Sequence, residues 1–293
     1  MGVIMQLCKK GKKKTRNTGA DEQKLEGVLE RPAVAKKGFR FASLEDFKSK
    51  EIWDAAIMNK DIVPLFDAFE VAPENTEATK FESGKFSYET SPAVKKTGFE
   101  CYLSLCSHRA LKSYNNSEYT QVFEFTADGA VFGVDAGEGK IKGQDLSNLN
   151  VGIRTIATKD KPANTKVVFT YRDYNEFEDN PVGVLPDFDV ADLNGIFDVQ
   201  IFQVSASATS IKFRVNAGCC DGEVPTLTNA DIILKDAAGV VKTFSFVPYN
   251  AADDVYEITG TGFLNGYTLS LNGVLEKPEI MYEAEEALVI KIS

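Results

Sequence analysis

Residues 120–134, "TQVFEFTADGAVFGV", place two alternating apolar runs on either side of Asp128–Gly129. An Asp-Gly pair between runs of period two is a strong short-range hairpin signal, because the tight turn needs positive φ and each flanking run needs one face to bury. Similar short runs rich in Phe, Tyr, Val and Thr fill most of the chain: "KFSYET", "GFECYLSL", "KIKGQDL", "VGIRTIAT" and "TKVVFTYRDY". A chain built this way folds as a mainly β protein. With 293 residues and 43% hydrophobic content it has enough apolar material for about two cores.

One stretch breaks the pattern. In "SLEDFKSKEIWDAAIMNK", Ser43 serves as an N-cap, and Leu44, Phe47, Trp53, Ala56 and Ile57 share a helical face. A shorter helix is expected over "SHRALKSYNN". Residues 176–195, "EFEDNPVGVLPDFDVADLNG", concentrate Pro, Asp, Asn and Gly and read as a linker. Beyond it come seven alternating runs at about ten-residue spacing, the pattern of an Ig-like β-sandwich, although the region lacks the Trp of antibody domains. The predicted organisation is an extended basic arm over 1–38, a β-rich domain with one or two helices over 39–195, and an Ig-like β-sandwich over 196–293.

Motifs that carry chemistry are scarce. His108 is the single histidine and lies two residues from Cys106, a spacing at which side chains on a helix or turn diverge. Asp187, Asp189, Asp192 and Asn194 loosely resemble a calcium loop, but the third acid comes one residue late and no bidentate Glu follows, so a solvated acidic linker is expected. "DAGEGKIKG" has glycines without a following helix and reads as a hairpin turn rather than a phosphate loop. The five cysteines show no metal-ligand spacing and are expected to be free thiols of a reducing cytoplasm. No catalytic residue, cofactor or metal is predicted. No apolar run approaches the roughly 20 residues of a membrane span.

The charge distribution is uneven. Lys9, Lys10, Lys12, Lys13, Lys14 and Arg16 make the first sixteen residues +6 in a chain of net charge −10. Residues 197–293 carry six Lys and Arg against thirteen Asp and Glu, a net of −7, and residues 17–196 stand at −9. The arm has no interleaved aromatics for base stacking, and a basic tail on an acidic body favours a neighbouring subunit over nucleic acid.

Taken together, "TKFESGKFSYETSPAVKKTGFECYLSLCSHRALKSYN", "FEFTADGAVFGVDAGEGKIKGQDL" and "VVFTYRDYNEF" resemble structural proteins of tailed bacteriophages, in the style of viruses of Bacteroides-type gut bacteria. The order of helix, acidic loop, paired strands, short helix, hairpin and appended Ig-like domain is similar to tail-tube subunits. That resemblance implies a virion protein assembled in the host cytoplasm, without a membrane, as rings stacked into a tube whose acidic lining lets DNA slide. It also implies homo-oligomeric contacts through the arm and through the loop from about Phe69 to Glu89, with Glu70, Glu74, Glu77 and Glu82 at the interface. A head-associated, auxiliary capsid or neck protein of the same viruses remains an alternative, as does an Ig-like module that binds a host protein or glycan. Transient, non-specific contact of the arm with phage DNA is a further partner expectation.

Overall fold

The computed structural model describes residues 27–173, 175–218, 222–224, 227–277 and 280–292. About half of the chain is strand, the described residues include four α-helices, and the chain divides into two compact units at Leu193/Asn194. Each unit has its own core, and they are described separately.

The first unit begins with β1 (Leu29–Lys36), followed by helices α1 (Leu44–Lys48) and α2 (Lys50–Met58) and strands β2 (Ile62–Pro64), β3 (Phe69–Pro73), β4 (Thr79–Ser83), β5 (Phe86–Ser91) and β6 (Lys96–Cys101). After helix α3 (Leu105–Lys112) come β7 (Tyr119–Thr126), β8 (Val131–Gly137), β9 (Lys140–Lys142), β10 (Gln144–Arg154) and β11 (Thr165–Tyr171), then α4 (Glu176–Asp179) and β12 (Pro181–Val184). All of these strands except β4 and β5 join one ten-stranded sheet.

Strand β10 holds that sheet together. Its first residues pair with β7, Gln144 opposite Val122 and Asp145 opposite Gln121, while Leu146 to Arg154 pair with β11. One end of β10 therefore belongs to the layer of β1, β2, β7 and β8, and the other to the layer of β11, β6 and β3. A strand that switches layers turns a sheet back on itself and closes a core between the two halves. Val34 and Val122 from the first layer meet Phe99, Leu146, Leu149, Val167 and Phe169 from the second, with Leu111 of α3. The switch requires Gly143, since a Cβ there would lie 2.8 Å from both the Val122 backbone nitrogen and oxygen. The sequence suggested two runs, "KIKGQDL" and "VGIRTIAT", where the structure has one continuous eleven-residue strand after Gly143.

The other face of β1 and β7 is covered by α1 and α2. Trp53 is fully buried, with ring centroids 4.9 Å from Phe41, 5.2 Å from Phe123 and 5.1 Å from Phe125, and its indole N–H donates to the Phe47 carbonyl at 2.8 Å. Strand β1 is thus buried on both faces, so Ala33, Val34 and Ala35 are all inaccessible and its residues do not alternate. That is why this segment reads as part of an arm. The structure corrects the arm boundary: residues from Leu29 onward belong to the sheet.

Two further expectations change. The predicted helix from Ser43 is two helices, broken at Ser49, whose ψ of 121° is extended. Ser43 caps the first, its hydroxyl accepting from the Asp46 N–H, while the second receives its cap from afar, as Asp187 Oδ1 accepts from the Lys50 N–H at 3.0 Å. The supposed linker is largely built into the first unit. Strand β12 pairs with β8, and the Arg31 guanidinium donates to the carbonyls of Leu65, Val190 and Leu193. Burial lowers the Arg31 pKa against the opposing pull of Asp67 and Glu30.

The second unit contains β13 (Ile196–Ala206), β14 (Ser210–Ala217), β15 (Gly222–Glu223), β16 (Ile232–Lys235), β17 (Ser245–Asn250), β18 (Val255–Thr259), β19 (Thr268–Leu271), β20 (Leu275–Lys277), β21 (Ile280–Ala284) and β22 (Leu288–Val289). A seven-stranded sheet runs β17-β18-β14-β13-β21-β20 with β15 on β14, and β16-β19-β22 form a second sheet. Val199, Ile201, Phe213 and Ile258 of the first share one core with Leu234, Leu269 and Leu271 of the second. The C-terminal residues complete it. Ile290 is fully buried, and the Gln203 side chain bonds both the N–H and the C=O of Lys291, at 2.9 and 2.6 Å.

Substituting Gly143→Ala should destabilise the first unit by about 1–3 kcal/mol, because the new methyl meets backbone on β7 rather than a movable side chain. A urea midpoint unchanged from the parent would contradict the role given to this crossing.

Candidate functional site

The stretch from about Phe69 to Glu89, read from sequence as a long loop, contains β3, all of β4 and most of β5. Strands β4 and β5 form an ordered hairpin that joins no other sheet, with every residue from Thr79 to Ser91 exposed. Its turn, Gly84–Lys85, has the glycine at positive φ (61°), where only glycine is unstrained. Phe81 lies opposite Tyr88 and Ser83 opposite Phe86. Since directly opposed residues and i, i+2 neighbours share a face, Phe81, Phe86 and Tyr88 form one apolar face. They are 56%, 60% and 61% exposed. Lys80, Glu82, Ser87 and Glu89 make up the other, charged face.

A two-stranded hairpin is marginal in water by itself, and here its root is well fixed. Thr76 and Val94 exchange backbone bonds at 2.9 Å each, and the Asn75 side chain accepts from the Lys96 N–H. Glu74 lies across Gly98, where a Cβ would collide with its carboxylate, and pairs with Lys166. Glu70, held at a positive φ of 50°, pairs with Lys161, which also binds Glu100 at 2.6 Å. The hydrogen bonds to Glu100 and Glu70 raise the Lys161 pKa against its desolvation.

The four glutamates named from sequence therefore differ. Glu70 and Glu74 are engaged by Lys161 and Lys166 of the same chain, anchoring the root of the hairpin. Glu77 is exposed beyond the root and Glu82 projects from the charged face. The sequence reading missed the aromatics. Their signal was the alternation of "TKFES" and "FSYET" about Gly84–Lys85, half of which was recognised as a strand run. Lys9, Lys10, Lys12, Lys13, Lys14 and Arg16 lie outside the described residues.

Elsewhere the polar groups serve the fold. Asp189 and Asp192 form a reciprocal capping box around a 3-10 turn, and with Asp187 capping α2 the acidic run is used for backbone bonds. Among the described residues no group of three or more His, Cys, Asp or Glu is placed to hold a metal ion. On α3, His108 is buried with its Nδ1 2.8 Å from the Thr165 hydroxyl. Cys106 is disulfide-bonded, which corrects the free-thiol expectation there and removes the nucleophile from any Cys-His pairing. Cys101 is a free, buried thiol, and burial, with Asp67 adding to it, pushes its pKa up to about 12. A thiol so disposed is inert. A cleft lined by Tyr114, Tyr119, Leu146 and Asn148 encloses about 70 Å³, well below the size of small-molecule sites. No protein-family model and no curated protein matches the chain.

Because residues 79–91 bury nothing in their own unit, replacing residues 78–92 by a short Gly/Ser turn should change unfolding free energy by no more than about 0.5 kcal/mol. Denaturant titration checks this; a large loss of stability would make the hairpin part of the core.

Proposed function

We propose that the chain is a structural subunit of a tailed-bacteriophage virion, self-assembling through its first unit into rings that stack as a tail tube and carry DNA. The observation that carries this reading is the ordered hairpin with three aromatics on one exposed face. A monomeric protein gains nothing from holding such a face in water, whereas an assembling subunit buries it against a neighbour. The firmly braced root supports the same reading, since a preorganised contact loses less entropy on binding. The large paired sheet of the first unit and the two-sheet sandwich of the second are consistent with a tube-like domain followed by an Ig-like module. The acidic balance of both units suits passage of DNA along a non-adhesive wall.

A head-associated or neck position in the same kind of particle would use the same hairpin. A host- or glycan-binding module would not need it, and would act as a monomer through the second unit.

Negative-stain microscopy and sedimentation of the purified chain should reveal rings or tubes. Changing Phe81, Phe86 and Tyr88 together to Ser should leave the subunit folded and raise the concentration needed for assembly at least about tenfold, since a buried aromatic anchor at an interface is commonly worth more than about 1.4 kcal/mol. A parent protein that stays monomeric at every concentration would overturn the proposal. Assembly untouched by the triple substitution would remove the hairpin from it.

A further inference from the structure

His108 is the one side chain of this protein whose ordinary pKa falls between pH 5 and 8, and it is buried. Its position is a junction. Thr165, to which its Nδ1 is bonded, is fully buried at the start of β11, paired with Arg154 on β10 and with Cys101 on β6. Helix α3 thus covers the place where the ends of three strands meet, with Leu111 one turn along entering the core formed by Phe99, Val151 and Val167.

The charges around the imidazole are of one sign. Lys112 on α3 and Arg154 on β10 both act on it, and with desolvation as the largest contribution they lower its pKa from 6.5. On β6 the group in line with Thr165 is the neutral thiol of Cys101, while the neighbouring Glu100 is engaged by Lys161 and Asn164. On β11, Thr165 is uncharged and Lys166 is paired with Glu74. On α3 itself, Arg109 adds another cation at the surface and the disulfide-bonded Cys106 does not titrate. Both charged groups that act on the imidazole are cations, while the carboxylate of Asp67 acts on the neighbouring Cys101 thiol.

We propose that His108 is an acid-operated latch: taking up a proton in mildly acidic solution releases the part of α3 beyond its disulfide-bonded Cys106 from the strand ends it covers and opens that end of the first unit. The sign follows from linkage. A histidine whose folded pKa lies below its unfolded value binds its proton more readily once the helix is released, so closure is complete above about pH 6.5 and weakens as pH falls towards the folded pKa. The inference does not depend on the assembly reading; it would operate in a monomer as well.

The test is amide hydrogen exchange of the intact chain between pH 5 and 7.5, corrected for intrinsic exchange rates. The amides of His108 and Ser113, bonded to Ser104 and Arg109, report the closed helix. Their opening equilibrium should be flat above pH 6.5 and should rise below it by up to about tenfold per pH unit, the limit for one proton. In His108→Asn, which keeps an amide near the Nδ1 position but cannot titrate there, that rise should disappear. If that variant does not fold, Lys112→Gln is the substitute. Removing one cation should bring the imidazole pKa towards 6.5 and shrink the total acid response. A parent whose α3 exchange ignores pH, a slope that survives in His108→Asn, or an imidazole that titrates near 6.5 in the folded protein would each overturn the latch.

Discussion

The contact of Gly143 with the Val122 backbone fixes the first unit more than any other. Because the chain passes within van der Waals reach of β7 at a point where a side chain has no room, β10 can start in one layer and finish in the other. The second edge of β7 is consequently divided, β8 holding Glu124 and Phe125 and β10 holding Gln121 and Val122. Everything nearby follows from that division. The inner core lies between the two halves of the sheet, and the aromatic cluster around Trp53 covers the outside of β1 and β7.

The arrangement keeps most polar groups near the core occupied. Lys142, just before the crossing, binds both Asp145 and Glu176, and Glu176 also accepts from the Asp145 N–H. A half-buried ion pair of this kind contributes little net stability, but it penalises any register that separates its members. The Tyr171 hydroxyl donates to Glu124 across the join of the two layers. By contrast the β4–β5 hairpin joins no other sheet and stays exposed along its whole length.

Sequence alone revealed the mainly β character, the Asp128–Gly129 and Gly137–Gly139 turns, and most strands of the second unit, because each of these rests on local alternation or turn chemistry. It missed β1, where burial on both faces erases alternation, and it missed β20 and β21, whose run "LEKPEIMYEA" is charged and interrupted by Pro278. The break at Ser49 was invisible for a different reason: the carboxylate that caps the second helix comes from Asp187, 137 positions away. The candidate interaction surface was half legible. Its location was named, but glutamates were emphasised where the aromatics carry the apolar area, since the root pairs of Glu70 and Glu74 depend on β11 lying beside β6 and on Lys161 of the loop that precedes β11.

The way the second unit is closed has a consequence for its birth. Strand β13 waits for a segment 88 positions downstream, for only then does Lys291 meet Gln203 and Ile290 fill the core. At translation speeds of about 5–20 residues per second that separation takes roughly 4–18 s, during which Val199, Ile201 and Phe213 are without their final cover. The nascent sandwich therefore leaves part of its core uncovered until Ile290 has been made, and a message cut short before that codon yields a second unit without its full cover.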